Sequence, residues 1–370
     1  MVGFGSEPRR LEEGWWCVVS VKTGLTFPAL RGVQGDRVMY HLLVENSVLN
    51  NFFTVNMDPP DERSQRQLDP RHAHDIARYL VENPSDYCLG AIIYAVDRDC
   101  YFEPTGQEES LGLLTIPLGT NLRSLDGQHR RKGLNEAIEE DPKLSQDHTA
   151  IVVYVEPDVS KRRQMFSDMN ATPKVVAKAL NVRFDSRDPF ARAAQRLAAD
   201  HPFLKGVVEL ESSRVAAGSD KWYTLGSVWE SLKRLQVGPT GRVRNAAQYS
   251  EDAIYERGVQ LFGTLAEARP EFTRARNGTS VDALRSRSIL FSSTTLRALA
   301  GAFWIRLRED GSDRSLLSYA RALERIDFSP AARLWSETGF ISPGKTTPNA
   351  RNQEVLAATA AVAEALRIKT

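Results

Sequence analysis

Residues 122–139 read LRSLDGQHRRKGLNEAIE, and the fold of the first half of the chain turns on how this stretch divides. An apolar approach through Leu122 and Leu125 ends at Asp126-Gly127, after which Leu134, Ala137 and Ile138 recur at helical spacing. The pattern predicts a strand, a tight turn that glycine permits, and a helix with Asp126 as its N-cap. Pro142 limits that helix at its far end. His129, Arg130 and Arg131 fall in the first helical turn, where cations oppose the helix dipole by about 0.3–1 kcal/mol each. An anion would reverse that sign, since helix starts offer backbone N–H groups and arginine grips phosphate as a fork. Three readings stand side by side: a capped turn with its arginines in solvent, a phosphate site, or an acid–base site using Asp126 or His129. The GxxxxGK[ST] run of a phosphate-binding Walker loop does not occur.

Outward from this corner, the composition describes a water-soluble globular chain. It has 370 residues, 42% hydrophobic and 26% charged, enough for two domains. No apolar run is long enough to span a bilayer. The opening MVGFGSEPRRLEEGWWCVV has acids and arginines where a signal peptide needs an apolar stretch, so a cytoplasmic location is expected. Cys17, Cys88 and Cys100 form no CxxC pair, which argues against a disulfide framework or a cysteine zinc site. They are expected to act as small hydrophobes in strands. The formal net charge of +1 makes the chain no polycation, so any nucleic-acid affinity must come from a local basic face.

Up to about residue 185 strands and helices mix. DPRHAHDIARYLVENP is a helix that Asp69 caps and Pro70 starts, with Ala73, Ile76, Ala77, Leu80 and Val81 as its stripe and Asn83-Pro84 as its stop. YCLGAIIYAV and HTAIVVYVEP read as buried strands, and GLLTIPL as a weaker one with Pro117 at an edge or end. Ser160 is expected to cap a helix through KRRQMFSDMN, and Asp188 the helix of SRDPFARAAQRLAADHP. From about residue 186 the helical period dominates, in LGSVWESLKRLQ, SEDAIYERGVQLFGTLAEA, STTLRALAGAFWIRLRED, RSLLSYARALERI and NQEVLAATAAVAEALRI. VGPTGRVRN and RARNGTS read as surface connections. The expected organisation is α+β: an α/β domain over 1–185 and a helical domain over 186–370.

Two further segments share the basic theme of the corner. DERSQRQLDPRH places Arg63, Arg66 and Arg71 before and at a helix start, and Asn170, Thr172 and Lys174 follow a basic helix. Each also reads as a plain solvated loop or helix stop. His72 and His74 are one residue apart and face different ways on a helix, and neither an HExxH motif nor a GxSxG elbow occurs.

LDGQHRRKGL resembles the signature of DGQHR-domain proteins, and its turn into a His-Arg helix start is similar to the corner of ParB-like and sulfiredoxin-like domains. QRQLDPRHAHDIARYLVENPSDY resembles the segment upstream of that signature. RRQMFSDMNATPKVVAKALNVRFDSRDPFARAAQRL and VELESSRVAAGSDKWYTLGSVWESL resemble the segments downstream. In this order, over roughly residues 50 to 235, they resemble the DndB family of DNA sulfur modification proteins. The resemblance implies a ParB/sulfiredoxin-like first domain. It also implies a DNA-binding negative regulator of a bacterial phosphorothioation system that limits modification, with sulfur insertion left to other proteins. The shared residues it carries over are Gln65, Arg66, Asp126, Gly127, Gln128, His129, Arg130 and Asn170. With Arg131 and Lys174 from the neighbouring basic positions they make a candidate phosphate, DNA or nucleotide site, with Asp126, His129 and Arg130 as catalytic candidates. The implied partners are promoter DNA of the modification genes and other phosphorothioation proteins. Two-fold operator recognition predicts a homo-oligomer. The ParB likeness leaves a nucleotide such as ATP open, and with it an alternative as ATPase or DNA nickase. An adaptor that never touches DNA is the third reading. The residues themselves imply no metal.

Overall fold

The computed structural model describes residues 23–53, 68–171, 176–311 and 315–367. The chain packs as two compact units, Met1–Lys174 and Val175–Thr370. The architecture is α+β, with the large sheet confined to the first unit.

Among the described residues that sheet has seven strands: β1 (Gly24–Gln34), β2 (Arg37–Glu45), β3 (Ile92–Val96), β4 (Tyr101–Thr105), β5 (Glu108–Pro117), β6 (Leu122–Asp126) and β7 (His148–Val155), in the order β4-β5-β1-β2-β7-β3-β6. All neighbours are antiparallel except β3 and β7. β1 and β2 form a hairpin over Gly35, whose φ of 59° suits a tight turn. In β2 Tyr40, Leu42 and Val44 point inward while His41, Leu43 and Glu45 are exposed. Pro117 ends β5, where its missing N–H breaks no ladder.

Among the described residues, four helices accompany this sheet: α1 (Asn46–Phe52), α2 (Pro70–Glu82), α3 (Gln128–Glu140) and α4 (Val159–Ala171). α2 starts as its sequence dictates, with Asp69 accepting from Arg71 N and Pro70 in the first turn. Its buried Ala77 and Leu80 join Leu134 and Ala137 of α3 over Ile92, Tyr94, Ile151 and Val153. Removing a fully buried leucine such as Leu134 from water contributes about 1.5–3 kcal/mol. On the opposite face Met165 of α4 packs on Ala95, Leu125, Val152 and Tyr154. α4 is capped earlier than expected: Asp158, not Ser160, accepts from the Ser160 and Lys161 amides, at 2.7 and 3.2 Å. A carboxylate placed just before the helix outcompetes a hydroxyl inside it for those donors.

Among the described residues, the second unit is helical apart from the two-residue parallel pair β8 (Val208–Glu209) and β9 (Tyr223–Thr224). Its helices include α5 (Lys178–Phe184), α6 (Pro189–Asp200), α7 (Leu225–Val237) and α8 (Glu251–Ala268), then Ser293–Asp310 and Asn352–Ala365. Asp188, Thr224, Ser250 and Ser292 cap four of them. The core is aromatic, with Phe203, Trp222, Phe272 and Phe291 in edge-to-face and tilted contact. RSLLSYARALERI breaks into a 3-10 turn at Leu316–Tyr319 and a short helix at Ala320–Glu324.

The cysteines depart from expectation. Cys88 is exposed in the loop after α2, and Cys100 is half-buried just before β4, so neither lies in a strand. Burial, with Asp99 beside it, pushes the Cys100 thiol up to about 11, so it stays protonated. Cys17 lies outside the described residues.

Candidate functional site

The DGQHR stretch forms the predicted strand, turn and helix: β6 ends at Asp126, and α3 begins at Gln128. The cap is not Asp126. Gly127 occupies the N-cap position at φ 92°, and no side chain caps the helix. A left-handed turn at this position favours glycine, and it leaves Asp126 inside the strand, one residue too early to fold back on the first turn. Its carboxylate accepts from Arg130 Nη2 instead. Arg130 lies close against the chain entering β3. A Cβ at Gly90 would sit 2.6 Å from Arg130 Nη1, and one at Gly127 3.1 Å from Arg130 Nε. The two glycines leave room for the guanidinium, and the Asp126 carboxylate holds it.

α2 and α3 start at the same end. Asp69 N donates to His129 Nε2 at 2.9 Å, and a Cβ at Gly133 would meet Ala73 O and Ile76 Cβ at 2.7 Å each. The contacts advance together along both helices, so the helices run parallel, and Gly133 permits their close approach. Two positive dipole ends therefore lie beside each other, with Arg71 and His72 on one and His129 and Arg130 on the other. The rings of His72 and His129 are 5.0 Å apart. Because a backbone N–H can only donate, His129 Nε2 is the acceptor in this contact. His129 therefore acts here as a clasp between the helices, and Asp126 as a holder of Arg130.

The remaining candidates separate. Arg131 turns inward and is buried, with Nη2 3.5 Å from Asn50 O. Burial lowers its pKa, partly offset by Tyr94. Its Nε, Tyr94 Oη and Asn50 Oδ1 have no hydrogen-bond partner among the described residues. Gln128 stands at the first position of α3. Asn170 lies in the last turn of α4 and donates Nδ2 to Phe166 O at 2.7 Å, within its own helix. Gln65, Arg66, Arg63 and Lys174 lie outside the described residues. Among the described residues no group of His, Cys, Asp or Glu could hold a metal ion, and no helix is long and apolar enough to cross a membrane. Nothing in the local sequence pattern signals the Asp69–His129 clasp or Gly90 under Arg130, because each joins segments far apart in the chain.

The model of the DndB family, described as DNA-sulfur modification-associated, matches residues 27–369. The chain belongs to the DndB family. The match takes in most of β1, all of β2 and the helical unit almost to its end. Family membership ties the chain to DNA sulfur modification. No curated protein and no solved structure matches it.

Proposed function

We propose that this DndB-family chain is a DNA-binding negative regulator of the modification genes, and that the α2/α3 corner holds a phosphate of the duplex. The observation that carries the reading is the meeting of two helix starts at Asp69 and His129, with Arg130 fixed beside them. Two dipole ends and a pre-oriented guanidinium favour an anion, and arginine binds phosphate as a fork. Family association with DNA modification makes DNA phosphate the natural anion. In this reading Asp126 and His129 position the site. An ATPase or nickase would need one of them released from its present partner, which is why regulation is preferred to catalysis.

Retention of duplex DNA and phosphate release from ATP, measured on the same preparation, test this reading. Salt-sensitive retention of promoter DNA without phosphate release is expected. Phosphate release that Arg130→Ala abolishes would assign an enzyme instead. Co-purification with modification proteins and no DNA retention would assign an adaptor.

A further inference from the structure

The helical unit assembles a second cationic surface from residues distant in sequence. Lys178 of α5, Lys233 and Arg234 of α7, and Arg297 of the Ser293–Asp310 helix all act electrostatically on one carboxylate, Glu230. Lys178 Nζ donates to Glu230 Oε1 at 2.8 Å. That ammonium lies 4.4 Å from the Trp229 ring centre, and the Lys233 ammonium 4.0 Å from it. Asp188 also acts on Lys233, but one of its oxygens takes Trp229 Nε1 and the other caps α6 through Phe190 N. Among the described residues, the four cations thus act on two carboxylates, Glu230 and Asp188, that are already engaged.

The surplus charge is held in an unfavourable setting. Burial lowers the Lys233 pKa, with Lys178 and Arg234 adding to the drop against the pull of Glu230 and Asp188. Burial and then Arg234 lower that of Arg297. Arg297 Nε is buried with no hydrogen-bond partner among the described residues, while Nη2 reaches Ala350 O at 3.4 Å. Crowded and partly desolvated like charges destabilise the free protein, and a polyanion reverses that sign. Arg234 also donates to the carbonyl oxygens of Gly238 and Pro239. It thereby anchors the start of a loop that carries exposed Arg242 and Arg244.

We propose that this face of α5, α7 and the Ser293–Asp310 helix binds the sugar–phosphate backbone of DNA, in addition to the motif corner. The proposal rests on the reading that the chain binds DNA. Several cations around an aromatic ring match a row of phosphates, which neutralises them one by one with release of counterions.

The test is titration of a fluorescent duplex with wild type, Lys233→Gln/Arg297→Gln and Arg130→Ala over a range of salt, with melting curves to confirm folding. The double variant should bind operator and unrelated duplex about tenfold or more weakly. Its log–log salt slope should be shallower by about two, one for each phosphate that the variant no longer neutralises. A folded double variant with wild-type affinity and slope overturns the proposal. If Arg130→Ala binds more weakly while the double variant does not, this proposal alone fails. The reverse pattern supports it and removes the corner. A wild-type protein that binds no duplex overturns both. Should the double variant not fold, the exposed pair Arg242→Gln/Arg244→Gln replaces it, and unchanged affinity and slope there also overturn the proposal. Polyglutamate that competes as strongly as duplex would assign the surface to an acidic protein partner and overturn the DNA assignment.

Discussion

The motif corner and the α7 face both gather cations, but by opposite routes. The corner is local: Asp126, Gly127, His129 and Arg130 are close neighbours in sequence, and a strand-turn-helix orients them. Its key arginine has a carboxylate partner four residues away. The α7 face is tertiary. Residues 178, 233, 234 and 297 meet only because three helices pack, and among the described residues their charges outnumber the carboxylates that act on them, Glu230 and Asp188. A local site orients one cation well, whereas a packed face concentrates several poorly compensated ones. The first arrangement suits positioning of one phosphate, the second suits general affinity for a polyanion.

That contrast can be broken most forcefully at Leu134, which is fully buried beneath the corner. Leu134→Ala should destabilise the first unit by about 2–5 kcal/mol in chemical denaturation, the range for such cavities. The unfolding transition of the second unit should stay in place. An equal shift of both transitions would mean that the corner and the α7 face do not stand independently.

A smaller change sharpens the local side of the comparison. Asp69→Ala removes the cap of α2 but keeps the backbone N–H that reaches His129. A loss of about 1 kcal/mol is expected, with the clasp retained. An NMR signature of His129 that changes as much as in an unfolded control would show that the cap, not the clasp, holds the corner.

The smallest effect concerns pH and the second unit. His201, buried at the end of α6, has its pKa lowered from 6.5 by burial, partly countered by a bond to the Val259 backbone. The unfolded chain therefore binds the proton more readily than the folded one. This contribution to stability is complete above about pH 6.5 and is lost as pH falls through the lower folded value. Melting temperatures measured downward from pH 7 should decline less steeply in His201→Gln than in wild type. Identical pH profiles would show that His201 does not set the pH dependence of stability.

Much of this was legible in the sequence where a feature is local. The α2 cap and stripe, the Asp126-Gly127 turn, the α6 cap at Asp188 and the β3 and β7 strands all follow from neighbouring residues. β2 was harder, because Leu43 on its exposed face is as apolar as Leu42 and Val44 on its buried one, which hides the alternation. β1 carries Pro28 in mid-strand, which argues against a strand by propensity alone. The cap at Asp126 failed because glycine's left-handed conformation moved the helix start by one residue. The inward turn of Arg131 and the gathering of charges around Glu230 depend on tertiary packing and leave no trace in local spacing.

The most direct measurement for the central claim is the salt dependence of duplex affinity for wild type and Arg130→Ala. Affinities should fall steeply with salt, as cationic contacts release counterions. Arg130→Ala should weaken binding to operator and unrelated duplex alike by about 1–3 kcal/mol, and flatten the salt slope by about one. A folded Arg130→Ala protein with wild-type affinity and slope would contradict that claim and leave the corner a purely structural turn.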